Sequence, residues 1–234
     1  MKRRGPPSRP PGDRISLARR GLQAGSALLQ SRAPLRGFDI YVAGFHCAKG
    51  HPEMQMEAHH FCAQVNEDVF QCVIFDGNTR DANLIGVEYI ISERLFDGLP
   101  EDEKPDWHPH NFEVLSGQLT APGLPAAAEK ALVRRLINSY GKTWHTWHTG
   151  RHDGHGPPGP AMLMWSFNRD GEVDPALHQD FNRAMGIDET AKRAHRQDLS
   201  ALARPQRGVA LMRSDFPHAD GAPPGVRDVD DEAV

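Results

Sequence analysis

The sequence predicts a single α+β domain with a mixed or antiparallel sheet and packed helices. Segments of strand pattern and segments of helix pattern alternate, the connections between them are mostly short, and no internal repeat is present. The chain of 234 residues is also long enough to bury a sizeable core. We therefore expect the folded domain over residues 37–200, between a disordered basic extension at 1–36 and a mobile acidic tail at 201–234.

The predicted strands are runs of β-branched and aromatic residues with turn residues on either side. The segment "AMLMWSF" (161–167) is expected to pair antiparallel with "KTWHTWH" (142–148), because a loop rich in glycine and proline joins them. A helical turn is expected directly after Ile91. The other predicted strands are "GFDIYVAGF" (37–45), "QCVIFDG" (71–77), "ANLIGVEYII" (82–91) and "HNFEVLSGQL" (110–119).

Three further segments have the features of helices. In "PEMQMEAHHFCAQV" (52–65), a proline followed by a glutamate suits a first helical turn. The segment "GLPAAAEKALVRRLINSYG" (123–141) is expected to be a helix that ends at Gly141. The segment "DPALHQDFNRAMG" (174–186) begins with an aspartate cap and has proline at its first helical position.

Charge is distributed unevenly along the chain. Residues 1–36 carry nine Lys or Arg against one acid, and residues 214–234 carry six acids against one Arg. The remaining 37–213 has 17 basic and 24 acidic side chains, a net charge of −7. This region has no basic excess for a phosphate backbone, so we expect no nucleic-acid partner.

The apolar runs and the cysteines indicate whether the chain spans a membrane and which cellular compartment it suits. No apolar run approaches the roughly 18 residues of a membrane span, so we expect no transmembrane segment. A cysteine-poor chain fits the cytoplasm; the alternative is export, because paired arginines precede a short apolar stretch in "ARRGLQAGSALL" (18–29). The three cysteines include no CxxC pair, which disfavours both a zinc ribbon and a disulfide framework.

The stretch "EAHHFC" (57–62) is the strongest candidate for a functional site. On a helix, its first histidine would share a face with the cysteine, and its glutamate would share another face with the second histidine. Imidazole and thiolate ligands together favour Zn, Cu or Ni. The candidate metal ligands are His59, His60, Cys62, His46, His108, His110 and His145, with Glu57 and Glu67 as carboxylates that would orient them.

Two other functions fit the same residues. The His/Cys/Glu set also suits a buried hydrogen-bonded network in a non-catalytic scaffold. The segment 125–140 spaces apolar residues four apart beside Lys130, Arg134 and Arg135. Such a helix could lie on a phospholipid surface, assisted by the basic N-terminal arm, or pack on a sheet, and we favour the packing.

Four stretches of the chain resemble the oil-body-associated protein family: "EAHHFCAQVNEDVFQCVIFD", "LIGVEYIISERLFDGLP", "WHPHNFEVLSGQLTAPGLP" and "YGKTWHTW". The resemblance covers roughly residues 37–200 and includes "SFNRDGEVDP", so the basic extension and the acidic tail lie outside it. The matching positions are Glu57, His59, His60, Cys62, Asn66, Glu67, Cys72, Trp107, His108, His110, Gly141, Lys142, Trp144 and His145.

The resemblance points to proteins that associate with lipid droplets, but it implies no chemical reaction. Plant members of the family associate with seed lipid droplets, and members also occur in fungi and bacteria. The family brings no defined catalytic or metal residues to this chain. The polar character of the matching positions strengthens the functional interpretation of His59, His60 and His145. The long apolar hairpin that anchors droplet structural proteins does not occur in this sequence.

Overall fold

Six antiparallel strands close into a barrel at the centre of an α+β fold. The computed structural model describes residues 2–149, 157 and 159–232. The strands are β1 (Ile40–Ala48), β2 (His51–Gln64), β3 (Val69–Phe75), β4 (Leu84–Ile91), β5 (His108–Pro109), β6 (Tyr140–His145) and β7 (Met162–Trp165). They follow the order β4-β3-β2-β1-β7-β6, and β6 also pairs with β4, which closes the ring. The short β5 pairs with the start of β6.

The helices divide the core into two main parts. They are α1 (Leu17–Leu29), α2 (Glu93–Asp97), α3 (Asn111–Ser116), α4 (Ala126–Arg134), α5 (Pro175–Met185) and α6 (Glu189–His195). One cluster packs inward-facing strand residues such as Val42 against α3 and α4, including Val133. A second cluster packs the outer face of β1, at Phe45, against Phe181 of α5 and Trp165.

Several sequence predictions are confirmed. Strand β4 is followed directly by the short helix α2, and β6 pairs antiparallel with β7. Helix α5 begins as expected, because the Asp174 side chain accepts a hydrogen bond from the Leu177 amide at 2.8 Å. Helix α4 packs into the core through Val133, which is fully buried, so the favoured packing role of this segment is also confirmed.

Two of the predicted elements are wrong, and a third ends earlier than expected. Residues 52–64 of the predicted helix 52–65 lie in strand β2, because β1 and β3 flank the segment and pair with it. Residues 110–119 contain helix α3, which Gly117 ends at a φ of 94°. The helix expected to reach Gly141 stops at Arg134, and Tyr140 already begins β6.

The two chain ends also differ from the prediction of disorder. Residues 2–9 lie along the barrel, and Arg4 contacts Glu57, whereas α1 buries none of its side chains. In the tail, Phe216 packs in the core, and buried Gln206 accepts a hydrogen bond from the Asn111 amide at 3.0 Å. The acidic composition of the tail gave no indication that these few residues are buried. Within the described residues, no helix is both long and apolar enough to cross a bilayer.

Cys62 and Cys72 form a disulfide, which corrects the prediction that disulfides are disfavoured. The two residues lie directly opposite each other on β2 and β3. Sequence spacing could not show this pairing, because β2 was expected to be helical. The third cysteine, Cys47, is free and buried.

We expect loss of the disulfide to lower the free energy of unfolding by ~2–3 kcal/mol, because the bond closes a short loop in the unfolded chain. The separation of the two cysteines is 10 residues. Urea unfolding of Cys62→Ser/Cys72→Ser beside the wild type measures the change. A reductant should destabilise the wild type to the same degree and leave the double variant unaffected. Equal stability of the two oxidised proteins would contradict the prediction.

Candidate metal centre

Strand alternation directs a set of ionisable side chains into the barrel. Glu88 of β4 approaches His60 of β2, although β3 lies between these strands, so the two side chains meet across the interior. His46 of β1 and His145 of β6 join them from two other strands. All four side chains are almost completely buried, as are His108 on β5 and His110 just after it.

Glu88 is the centre of this cluster. Its Oε2 lies 2.8 Å from His60 Nε2, and its Oε1 lies 3.4 Å from the Nε2 atoms of both His108 and His110. Two triads share this carboxylate: Glu88 with His46 and His60, and Glu88 with His108 and His110. In each triad one ligand atom per residue lies within 4.8 Å of the other two, so either triad could hold a metal ion.

Gly141 of β6 makes room for the second triad. A Cβ at this position would lie 2.7 Å from His108 Nε2, 2.8 Å from His110 Nε2 and closer still to Glu88 Oε1. The three ligand atoms therefore converge on one point beside the glycine. Any larger residue would occupy the space on which they converge.

The polar atoms of the cluster are poorly satisfied by protein. Both ring nitrogens of His60 and of His108, and Oε1 of Glu88, are buried without a hydrogen-bond partner among the described residues. The close approaches to Glu88 lack hydrogen-bond geometry even where the distance is short. Orphaned buried groups of this kind are rare and destabilising, typically by ~1–3 kcal/mol each. A bound ion would satisfy one nitrogen of each of these rings and the Glu88 oxygen.

Other contacts fix the surrounding side chains. His46 Nδ1 lies 3.2 Å from His145 Nε2, and His145 Nδ1 lies 3.0 Å from the sulfur of Met56. His110 Nδ1 lies 2.8 Å from the Ser139 hydroxyl, which leaves its Nε2 directed toward Glu88. A metal-bound imidazole typically has this arrangement, with one ring nitrogen on the ion and the other held by a neighbour.

The electrostatics of the cluster favour the protonation states that a metal requires. Burial lowers the pKa of His108, and burial followed by the charges of His60 and His145 lowers the pKa of His46. Burial acts to raise the pKa of Glu88, but the adjacent imidazoles, His60 foremost, outweigh it and hold that pKa well below its usual range. An ionised Glu88 and a neutral His108 are the protonation states in which these two side chains bind a metal.

The space at the cluster is small. A cavity of about 10 Å³ is lined by four residues of the cluster, His46, His60, Glu88 and His110, and by Glu113 of α3, among other residues. Burial and the nearby Glu88 carboxylate raise the pKa of Glu113 well above its usual range, which favours the neutral form of this side chain. Such a cavity has room for one ion or one water, and its walls bring two carboxyl groups and several imidazoles together.

The structure brings together five of the residues predicted from the sequence: His46, His60, His108, His110 and His145. It separates the others from the cluster. His59 points to the outer face of β2, where its Nδ1 lies 2.7 Å from the Tyr41 hydroxyl and its Nε2 lies 3.3 Å from Glu57. Glu57 is therefore outside the barrel as well.

Two further predicted residues do not take part. Cys62 cannot offer a thiolate while it is bonded to Cys72, which corrects its prediction as a ligand. Glu67 is exposed and pairs with Arg135 at 2.5 Å. The residue that sequence reasoning missed is Glu88, and its signal was a lone acid within the apolar run "LIGVEYII". A charged side chain in a buried strand is rare unless it is paired.

Comparisons with known proteins agree with the resemblance read from the sequence. Residues 32–200 match the family described as "Protein of unknown function (DUF1264)". Oil body-associated protein 1A of Zea mays is 38% identical over 188 residues, which are 80% of this chain and 77% of that protein. Oil body-associated protein 1B of Arabidopsis thaliana is 34% identical over 218 residues, or 93% of this chain and 86% of that protein.

A third relative, oil body-associated protein 2A of Zea mays, is 35% identical over 203 residues, which are 86% of this chain and 80% of that protein. No solved structure matches the chain. The family match begins after α1 and includes every residue of the buried cluster. The chain therefore belongs to the DUF1264 family, and its plant homologues are oil body-associated proteins.

Proposed function

We propose that the protein binds one divalent transition-metal ion inside its barrel, with Glu88, His108 and His110 as ligands and His60 as the fourth. The observation that carries the proposal is the orphaned state of the buried nitrogens and of Glu88 Oε1. A scaffold stabilised by a hydrogen-bonded histidine network would satisfy these atoms within the protein. In this barrel the orphaned nitrogens and Glu88 Oε1 lie close together without forming hydrogen bonds.

The donor set indicates the class of metal. Three imidazoles and one carboxylate suit zinc and other first-row ions that accept nitrogen ligands, and they suit calcium and magnesium poorly. The sequence-based expectation of Zn, Cu or Ni therefore stays, with the carboxylate of Glu88 in place of the thiolate of Cys62. Zinc is the natural probe because its affinity can be measured without redox chemistry.

The size of the cavity indicates a closed site. Its volume of about 10 Å³ accommodates an ion, whereas sites for small molecules typically enclose ~300–1,000 Å³. Structural metal sites are closed by protein ligands, and catalytic sites keep a position open. The geometry therefore supports a metal that holds the barrel together rather than one that meets a substrate.

Calorimetric titration of chelator-treated protein with Zn²⁺ tests the proposal. We expect one ion per chain, and we expect His60→Ala and Glu88→Gln to weaken binding at least ~10-fold, because each removes a ligand. The matched control is His59→Ala, since His59 is the adjacent buried histidine on the outer face of β2. Wild-type affinity in His60→Ala, or equal losses in the two histidine variants, would contradict the assignment.

We propose a second function, contact with a lipid surface, and helix α1 is the observation that favours it. At about 100° per residue, its four leucines fall within an arc of about 140°, and both arginines fall on the opposite side. All four leucines are exposed, Leu22 at 72% and Leu28 at 86%. The names of the plant relatives, which associate them with oil bodies, support the same function.

Flotation with phospholipid-coated triacylglycerol droplets tests this second proposal. Leu22→Glu/Leu28→Glu should abolish co-flotation, because charged side chains on the apolar arc prevent its burial at the interface. The matched control is Leu124→Glu, a half-exposed leucine in the loop before α4. Unchanged flotation of the double variant would contradict a role for α1.

A further inference from the structure

The N-terminal arm, residues 2–9, is attached to the rest of the fold mainly through the Arg4 side chain, which pairs with two carboxylates. Arg4 Nε lies 3.1 Å from both carboxylate oxygens of Glu57, and Arg4 Nη2 lies 2.6 Å from Asp180 on α5. Glu57 is only 8% exposed, and its carboxylate also lies 3.3 Å from His59 Nε2. Paired hydrogen bonds between a guanidinium and a carboxylate are among the strongest side-chain contacts.

The backbone of the arm also fits a surface formed by the turn after β3. The Arg4 amide donates to the Asn78 side chain at 2.7 Å, and the Asn78 amide donates back to the Arg4 carbonyl at 2.8 Å. Gly77 permits this approach, because a Cβ there would lie 2.5 Å from the Arg4 carbonyl oxygen. The Asn83 side-chain amide donates a further hydrogen bond to the Ser8 carbonyl of the arm, at 2.9 Å.

The arm covers a cavity that leads toward the metal centre. A space of about 250 Å³ lies between residues 4–7 of the arm and the barrel. Met56 lines this cavity, and its sulfur lies 3.0 Å from His145, which in turn contacts His46 at 3.2 Å. Met56 therefore lies between this cavity and the histidine cluster.

We infer that the arm is a removable closure that controls the exchange of the metal ion, an inference that rests on the metal centre proposed above. With the arm in place, residues 4–7 cover part of the space next to Met56. Release of Arg4 from Glu57 opens that space more widely to solvent, and rotation of the flexible Met56 side chain then gives access to His145. The arm is held by a few polar contacts, so it detaches far more often than the barrel unfolds.

The rate at which zinc leaves the protein tests this closure. The zinc-loaded full chain is mixed with an excess of a chromophoric chelator, and the transfer of zinc is followed by absorbance. Arg4→Ala should transfer zinc about tenfold faster than the wild type, because it removes one charge-assisted anchor from the closed state. Gly77→Ala should accelerate transfer by an independent route, since its methyl group displaces the Arg4 carbonyl.

Arg9→Ala is the matched control on the same arm. Within the part of the chain that the structure describes, its one ion pair, with Asp81, spans 3.8 Å between two highly exposed side chains and contributes little to holding the arm. Faster transfer in Arg4→Ala and Gly77→Ala, with wild-type transfer in Arg9→Ala and one zinc per chain in every protein, supports the closure. Equal rates in Arg4→Ala, Gly77→Ala and the wild type overturn the closure and leave the metal centre intact. A wild type that takes up no zinc overturns both.

Discussion

Replacement of Gly141 by alanine is expected to abolish metal binding and to destabilise the barrel. The added methyl group would lie within 2.8 Å of the Nε2 atoms of His108 and His110 and closer to Glu88 Oε1. Contacts this short force some of these atoms to move, and all three side chains are buried in the barrel interior. Overpacking of a filled interior typically costs ~1–3 kcal/mol.

Two measurements on Gly141→Ala check this expectation: the zinc affinity and the free energy of unfolding of the metal-free protein. Gly98→Ala is the matched control, because a Cβ at Gly98 meets only ordinary contacts, the nearest at 3.5 Å. We expect Gly98→Ala to bind zinc as the wild type does. Tight zinc binding by Gly141→Ala would show that the ligand atoms do not converge beside this glycine.

Replacement of Arg196 by methionine is expected to lower the free energy of unfolding by ~3–5 kcal/mol, the cost of breaking a buried charge network. Arg196 is 1% exposed, and its Nη1 donates to the carbonyls of Val114 and Leu119 at 2.8 and 2.9 Å. These carbonyls belong to α3 and the turn after it, which pack against the inward-facing strand residues. Its Nη2 lies 3.4 Å from buried Glu129.

Urea unfolding measures the effect of Arg196→Met, and Arg193→Met is the matched control three residues earlier. Arg193 forms a paired contact with Asp170 at 2.8 Å, but both side chains are more than a third exposed. Ion pairs in such positions contribute ~1 kcal/mol or less. Similar losses in the two variants would contradict the distinction between buried and exposed arginines.

Much of the β-structure could be predicted from the sequence, whereas the segment that carries "EAHHFC" could not. Its glutamates, alanines and methionines are good helix formers, and Pro52 suits a helix start. Pairing with β1 and β3 overrides these local preferences. The consequence for the site is large, because strand alternation places His60 inside the barrel and His59 outside.

The set of five clustered histidines was within reach of sequence reasoning because histidine is a recognisable ligand type. The place where these histidines meet could not be predicted from the sequence, because it depends on the closure of the barrel between β4 and β6. Glu88 was missed for the same reason. A lone acid within an apolar run was its local signal, but only the ring of strands places this carboxylate opposite His60.

Anomalous diffraction at the zinc absorption edge, from crystals of the untagged protein grown with Zn²⁺, tests the central claim most directly. We predict one strong peak inside the barrel, about 2.0–2.2 Å from the Glu88 carboxylate and from the Nε2 atoms of His108 and His110. If such crystals showed zinc peaks at surface histidines and no peak inside the barrel, the account would be contradicted. The cluster would then be a buried polar network without a metal.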